Sequence, residues 1–501
     1  MLENGNNIKK IRFIARLRRY ISVGSKFFTI EKRWGEKMNN LSEKIKEKGM
    51  IYYLLVAQVV FLLVLPAMDG KINTFRIFLY FVFAITSVAI VVLAVIECFK
   101  NRKAFDKVFI IVMTFFLMCT ISAIWAMIRN VPFADVVRGT APFVWYIYII
   151  VIVVGVRLEE TEKLNRAVGM IALMYSARIY VYYFLYVAGE EGERVTFHLY
   201  KATSIVPMIG VLIFCYYFLK YENAKMRYIV ALLFCYISVI LTQTKSMLIA
   251  VLIGVFLVLA GTGMCAKKKI CAESEMKKRY ILIIGVIFVS TTILMFTTSL
   301  GNRWKSMVSV NQPSEMISSE MISSETAASE IELSETTSSE MNSTETEVNK
   351  DSDKPQIVVE KGSVSVRIVE LKTAIKHFIN TPILGEGIGY RWVAEGVDYG
   401  KPVIYMHNVV AFCMLDFGIM GLVYLFVVVL IFFKMEYKVI KANVDLELKK
   451  SFQFSLAVII MAFAYANFFA VYRSIEFVVL CSIYIGKIIL EYRRIINGDL
   501  K

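Results

Sequence analysis

Only three histidines occur in the 501-residue chain: His198, His377 and His407. Histidine ordinarily titrates near pH 6.5, so it can take a proton from a hydroxyl under neutral conditions. His407 is followed nine residues later by Asp416. Two cations lie in equally unusual places. Arg178 falls inside an apolar stretch, and Lys245 sits in the short polar turn Thr242-Gln243-Thr244-Lys245-Ser246. An unpaired charge inside an apolar span costs about 2.5 kcal/mol or more, so Arg178 serves either an interhelical ion pair or a ligand. Cations of this kind bind and neutralise clustered anionic oxygens. No Cys/His spacing of the metal-binding type occurs, and neither a metal nor a cofactor is expected. Glu386, Glu395 and Asp398 are nonetheless close neighbours in sequence.

These residues must be positioned by apolar elements. Hydrophobic residues make up 57% of the chain and mean hydropathy is +0.61. Apolar blocks recur at lengths that cross a bilayer, about 20 residues each. They begin at 50–68, include 140–156, and end with 418–433, 452–470 and 474–491. The sequence therefore predicts an all-α polytopic membrane protein of about twelve transmembrane helices. The formal net charge of +16 raises the prospect of nucleic acid, but its placement argues against that partner. Lys and Arg cluster in alternate short loops, as at Lys267–Lys269 with Lys277–Arg279, and at Lys438, Lys441, Lys449 and Lys450. That is the positive-inside pattern. It sets both termini in the cytoplasm and places the three histidines, Lys245 and the outer end of the Arg178 span on the far side. Ionisable residues are accordingly expected to gather at that outer face. The N-terminal segment 1–49 places Ile8, Ile11, Ile14, Leu17 and Ile21 at helical spacing among basic residues. It reads as an amphipathic helix on an anionic leaflet or as a solvated basic tail.

The domain plan follows from this topology. Spans 1–9 occupy 50–300, and one large extracytoplasmic loop, 301–403, separates spans 9 and 10. Within it, 314–353 is dominated by Ser, Glu and Thr and is expected to be disordered. Order resumes with a helical pattern from Val364 to Phe378, then a glycine-rich run. Residues 404–491 carry His407-Asn408 and spans 10–12, and 492–501 form a cytoplasmic tail.

Two cations and a histidine at one outer surface suit a lipid diphosphate. The cations would hold its oxygens and stabilise it as a leaving group, while the histidine deprotonates an attacking hydroxyl. Three stretches then carry a resemblance: Pro382-Ile-Leu-Gly385-Glu-Gly387-Ile-Gly389, His407-Asn408, and Asp416-Phe-Gly418-Ile-Met-Gly421. In this order and on this side of the membrane they resemble the O-antigen ligase and polymerase family. Leu241 to Ser246 is similar to that family's Ser-Arg turn, with Lys245 in place of the usual arginine. Lysine keeps the charge but loses bidentate geometry. Asp416 stands where glutamate is commoner.

The resemblance implies His407 as catalytic base. It implies substrate contacts from Arg178, Lys245, Arg367 and Asn408, and from Gly385, Gly387 and Gly389 through close backbone approach. It further implies a glycosyltransferase of the bacterial cytoplasmic membrane that uses an undecaprenyl-diphosphate-linked glycan to polymerise, or ligate, a surface polysaccharide. Expected partners are that lipid-linked glycan, membrane lipids, a flippase and a chain-length regulator. The competing reading is a flippase for lipid-linked oligosaccharides or another polysaccharide transporter. It would predict repeats and charged or broken helices at the membrane midplane.

Overall fold

The computed structural model describes residues 49–64, 74–100, 107–186, 204–221, 225–242, 244–266, 270–297, 363–393 and 402–499. The N-terminal basic segment, His198, the Ser/Glu-rich stretch 314–353, Glu395 and Asp398 lie outside them. Among the described residues the chain is helical, with one isolated antiparallel bridge between Trp392 and Val403. Among the described residues, six helices are long and apolar enough to cross a bilayer: Phe109–Ile128, Phe133–Gly155, Leu158–Leu185, Lys245–Gly263, Val409–Lys441 and Leu446–Ala466. Shorter apolar helices accompany them, among them Ile205–Lys220 and Met226–Leu241. The chain is therefore a multi-pass membrane protein. The expected twelve spans exceed the six that qualify by length and composition.

Helix Ile205–Lys220 lies at the centre, buried at every position from Ile205 to Leu219. An all-round apolar sequence gives such a helix no preferred outward face, so it is surrounded by others. Small residues let its neighbours close in, as is usual between membrane helices. A Cβ on Gly210 would meet Ala172 at 2.5 Å and Cys235 at 3.0 Å. A Cβ on Gly254 would meet Leu212 at 2.9 Å and Met461 at 3.1 Å.

These contacts also fix which ends of the helices coincide. Gly254 packs on Met461 and Gly261 on Gln453, so helices Lys245–Ala266 and Leu446–Ala466 run antiparallel, with Lys245 level with the segment after Ala466. Gly169 meets Ile213 while Ala172 meets Gly210, which sets Arg178 level with Ser204. The opposite end of the bundle carries Lys220, Arg227, Lys277, Lys278, Lys438, Lys441, Lys449, Lys450, Arg493 and Arg494.

The expectation that ionisable residues gather at the His407 end needs correcting. Lys487 and Glu491 are both buried in helix Ile475–Asp499 toward its basic end, 3.6 Å apart. Ser451 and Ser455 donate to the Glu491 carboxylate at 2.5 and 3.1 Å. The serines satisfy the carboxylate, while Lys487 Nζ is buried without a hydrogen bond among the described residues and is held by the ion pair.

Two expected spans also change shape. The block at 140–156 begins earlier, at Phe133, and passes through a 3-10 segment at Ala141–Ile147 that contains Pro142. The block at 418–433 becomes Val409–Lys441, broken at Gly418, whose φ is 61° and ψ −144°.

Candidate active site

Helix Ser363–Asn380 supplies the site's polar face. Arg367, Glu370 and His377 lie three and seven residues apart and so return to one side of it. Glu370 is buried and grips His407 twice. Its Oε1 accepts from the imidazole Nδ1 at 2.6 Å, and its Oε2 accepts the His407 backbone N–H at 3.1 Å. Arg367 Nη1 lies 3.4 Å from Glu370 Oε1. Burial pushes the Glu370 carboxyl up. The hydrogen bonds and charge of His407, together with the charge of Arg367, outweigh it, and its pKa falls below the ordinary 4.5.

An ionised carboxylate only accepts, so Nδ1 carries the proton of this hydrogen bond, and in the neutral imidazole Nε2 is the ring nitrogen with a lone pair. The loop holds this arrangement from both sides. Tyr472 donates to the Met406 carbonyl at 2.6 Å, and the Trp392 indole donates to the Tyr405 carbonyl at 3.0 Å. Tyr405 and Phe469 meet the imidazole edge-on, with centroids 5.5 and 5.9 Å away.

The structure thus brings Arg367 and His407 together through Glu370. The sequence reading passed over Glu370, although Arg367 and Glu370 sit one helical turn apart. Arg473 is the second residue it missed. Its guanidinium lies 5.9 Å from the Tyr405 ring, beside His407, and donates to the Arg138 carbonyl at 3.3 Å. The apolar pattern placed this arginine in a turn between the last two blocks, and that position was the available signal. Arg178 and Lys245 occupy the same end of the bundle through the helix register above. Lys245 opens its helix just after Thr242, whose hydroxyl donates to the Val239 carbonyl at 2.7 Å.

Asn408 has a local task. It is the N-cap of helix Val409–Lys441, and its Oδ1 accepts from Val410 and Ala411 N–H at 2.9 Å each. Asn408→Ala should cost about 0.5–2 kcal/mol in stability, which a thermal-melt comparison in detergent would read, with Asn408→Asp close to the parent.

The three glycines have positive φ: 67° at Gly385, 95° at Gly387 and 87° at Gly389. The close approach they permit is to other helices. A Cβ would lie 2.3 Å from the Leu415 carbonyl oxygen, 2.8 Å from Ala126 Cα and 2.4 Å from the Asp135 carbonyl oxygen, respectively. The glycine loop plugs the break at Gly418. Glu386 N–H donates to the Leu415 carbonyl at 2.7 Å, and Ile419 N–H to the Pro382 carbonyl at 2.7 Å. Ser122 donates to the Asp416 carbonyl at 2.7 Å and accepts from Ile388 N–H at 2.9 Å. Backbone groups freed by the broken helix are satisfied by protein, as irregular backbone at membrane depth requires.

The side chains of the loop are fixed as well. Glu386 Oε1 takes His377 Nδ1 at 3.0 Å, and its Oε2 lies 2.6 Å from Arg129 Nη1. That second contact is close in distance but is not aligned as a hydrogen bond, and it acts as an ion pair. Arg391 clamps Asp135 through two contacts of 2.7 and 3.0 Å.

Among the described residues no group of three His, Cys, Asp or Glu side chains has metal-binding geometry. No curated protein matches the chain. Residues 229–426 match the family model for O-antigen ligase, a segment that holds Lys245, the Arg367–Glu370–His407 line, the glycine loop and the Gly418 break. That match supports the resemblance to the O-antigen ligase and polymerase family read from the sequence, over the matched segment.

Proposed function

We propose that the chain is a glycosyltransferase acting at the extracytoplasmic face of the bacterial cytoplasmic membrane. Its donor is an oligosaccharide on a polyprenyl diphosphate, and its product is a polymer of repeat units or a glycan ligated to an acceptor. The observation that carries the reading is the Glu370–His407 pair, which leaves Nε2 of a buried, oriented imidazole as the proton acceptor.

In this reaction His407 Nε2 takes the proton of an acceptor hydroxyl. The hydroxyl oxygen attacks the anomeric carbon, and the bond from that carbon to the diphosphate oxygen breaks. The lipid diphosphate leaves with the electron pair, and the new glycosidic bond has inverted configuration. Arg473, Lys245 and Arg178, at the same end of the bundle, supply positive charge for the departing group. The basic residues at the other end support this sidedness, since the positive-inside rule favours such an end in the cytoplasm.

A defined polyprenyl-diphosphate oligosaccharide, incubated with purified protein in detergent without any gradient, separates this reading from transport. Elongated or transferred glycan and a stoichiometric free lipid diphosphate are expected. An intact donor after prolonged incubation with folded protein, alongside movement of the same donor across vesicles, would replace the enzyme by a flippase.

A further inference from the structure

Helix Ser363–Asn380 has its amphipathicity inside out. At about 100° per residue, Ile368, Leu371, Ile375 and Ile379 fall on one face. These four are exposed by 49%, 37%, 43% and 70%. The opposite face carries Glu370, Thr373, Ala374 and His377, and it turns into the protein. A helix bathed in water would present the reverse, because exposed apolar area costs about 25 cal/mol per Å².

The exposed stripe does not end with the helix. It continues through Ile383 to Ile419, whose N–H is bonded to the Pro382 carbonyl, and on to Val423, Phe426 and Leu430 of helix Val409–Lys441. Those residues form the outward face of a helix that qualifies as a membrane span. Lys372 and Lys376 flank the stripe and are exposed, as suits cations reaching toward a headgroup layer.

We infer that the Ser363–Asn380 helix is embedded in the outer leaflet, with Ile368, Leu371, Ile375 and Ile379 against lipid acyl chains. It runs alongside the first turns of helix Val409–Lys441, since Glu370 meets His407 at one end and Pro382 meets Ile419 at the other. The segment therefore dips toward the break at Gly418 and returns through the glycine loop. One consequence rests on the proposed function. The Glu370–His407 pair sits at headgroup depth, where a lipid-linked donor arrives sideways from the bilayer without leaving it.

The test is tryptophan placed at Ile375, and separately at Ile379, in the full chain reconstituted in phosphatidylethanolamine/phosphatidylglycerol vesicles. The emission added over the parent protein is read against lipids brominated on their acyl chains and against aqueous acrylamide. Brominated lipid is expected to remove most of the added emission, and acrylamide little of it. Stronger quenching by acrylamide than by bromolipid puts the face in water and overturns the inference. Quenching by neither puts it against protein and also overturns it. Because the readout is position in the bilayer, either failure would leave the transfer reaction to be judged by the donor assay alone.

Discussion

His407→Ala is expected to lower glycan transfer by about 10²–10⁴-fold at unchanged protein level, the usual contribution of a positioned general base. The imidazole is the end of a line that begins at Arg367. Glu370 accepts Nδ1–H at 2.6 Å and also ties down the His407 backbone N–H, so ring and peptide are fixed by one carboxylate. Removing the carboxylate while keeping the shape, as in Glu370→Gln, should reduce transfer on the order of 10²-fold, because the amide no longer dictates which ring nitrogen carries the proton. Glu370→Asp should recover part of that loss. The double variant should be scarcely worse than His407→Ala alone, since groups acting as a unit do not add. Rates on a defined donor, with the amount of folded protein checked by size-exclusion profile, measure all four. Full-length polymer from His407→Ala at a normal protein level would remove the residue from its role.

The same pair has a signature in acid. Glu370 titrates below its ordinary 4.5 because the fold favours its ionised form. That contribution to stability is complete above pH 4.5 and disappears as pH falls through the depressed value. Glu370→Gln has no such group to protonate, so its stability should fall less steeply than that of the parent below about pH 4.5.

Much of this could be read in the residues, for identifiable reasons. Apolar blocks and the alternation of Lys and Arg are one-dimensional signals, and they gave the helical class and the grouping of basic residues at one end. The helix around 364–378 was visible in its periodicity. What escaped depended on contacts between distant segments. Glu370 looks like any carboxylate in an amphipathic helix until the loop at Met406–His407 folds onto it from 37 residues away. The buried Lys487–Glu491 pair has ordinary one-turn spacing, and only packing against Ser451 and Ser455 shows that it lies inside the bundle with its carboxylate hydrogen-bonded. Gly418 reads as one half of a Gly-x-x-Gly opening a span. Its positive φ depends on a partner loop that the sequence does not place beside it. The glycine run was legible as a place of close backbone approach, but the surface approached was not.

Gly385→Ala is expected to destabilise the protein by about 3 kcal/mol or more, through two separate costs. The backbone at Gly385 has φ 67°, where an L side chain is strained by roughly 1–2 kcal/mol. The new Cβ would also lie 2.3 Å from the Leu415 carbonyl oxygen and 2.8 Å from Gly418 N. Relieving that clash means pulling the loop away and breaking the Glu386 N–H to Leu415 bond, which leaves a buried carbonyl without its donor. Gly418→Ala meets the same wall from the other side, with its Cβ 2.6 Å from the Pro382 carbonyl oxygen and 2.7 Å from Gly385 N. Because each methyl would wedge apart the same seam, the double variant should cost little more than the worse single one. Gly285→Ala is the matched control: a Cβ there meets nothing within 4 Å, and in a helix interior it should be neutral or stabilising by up to about 1 kcal/mol. Thermal midpoints in detergent for the four variants give the comparison. A Gly385→Ala protein as stable as the Gly285→Ala control would mean that the loop does not close the break in the helix.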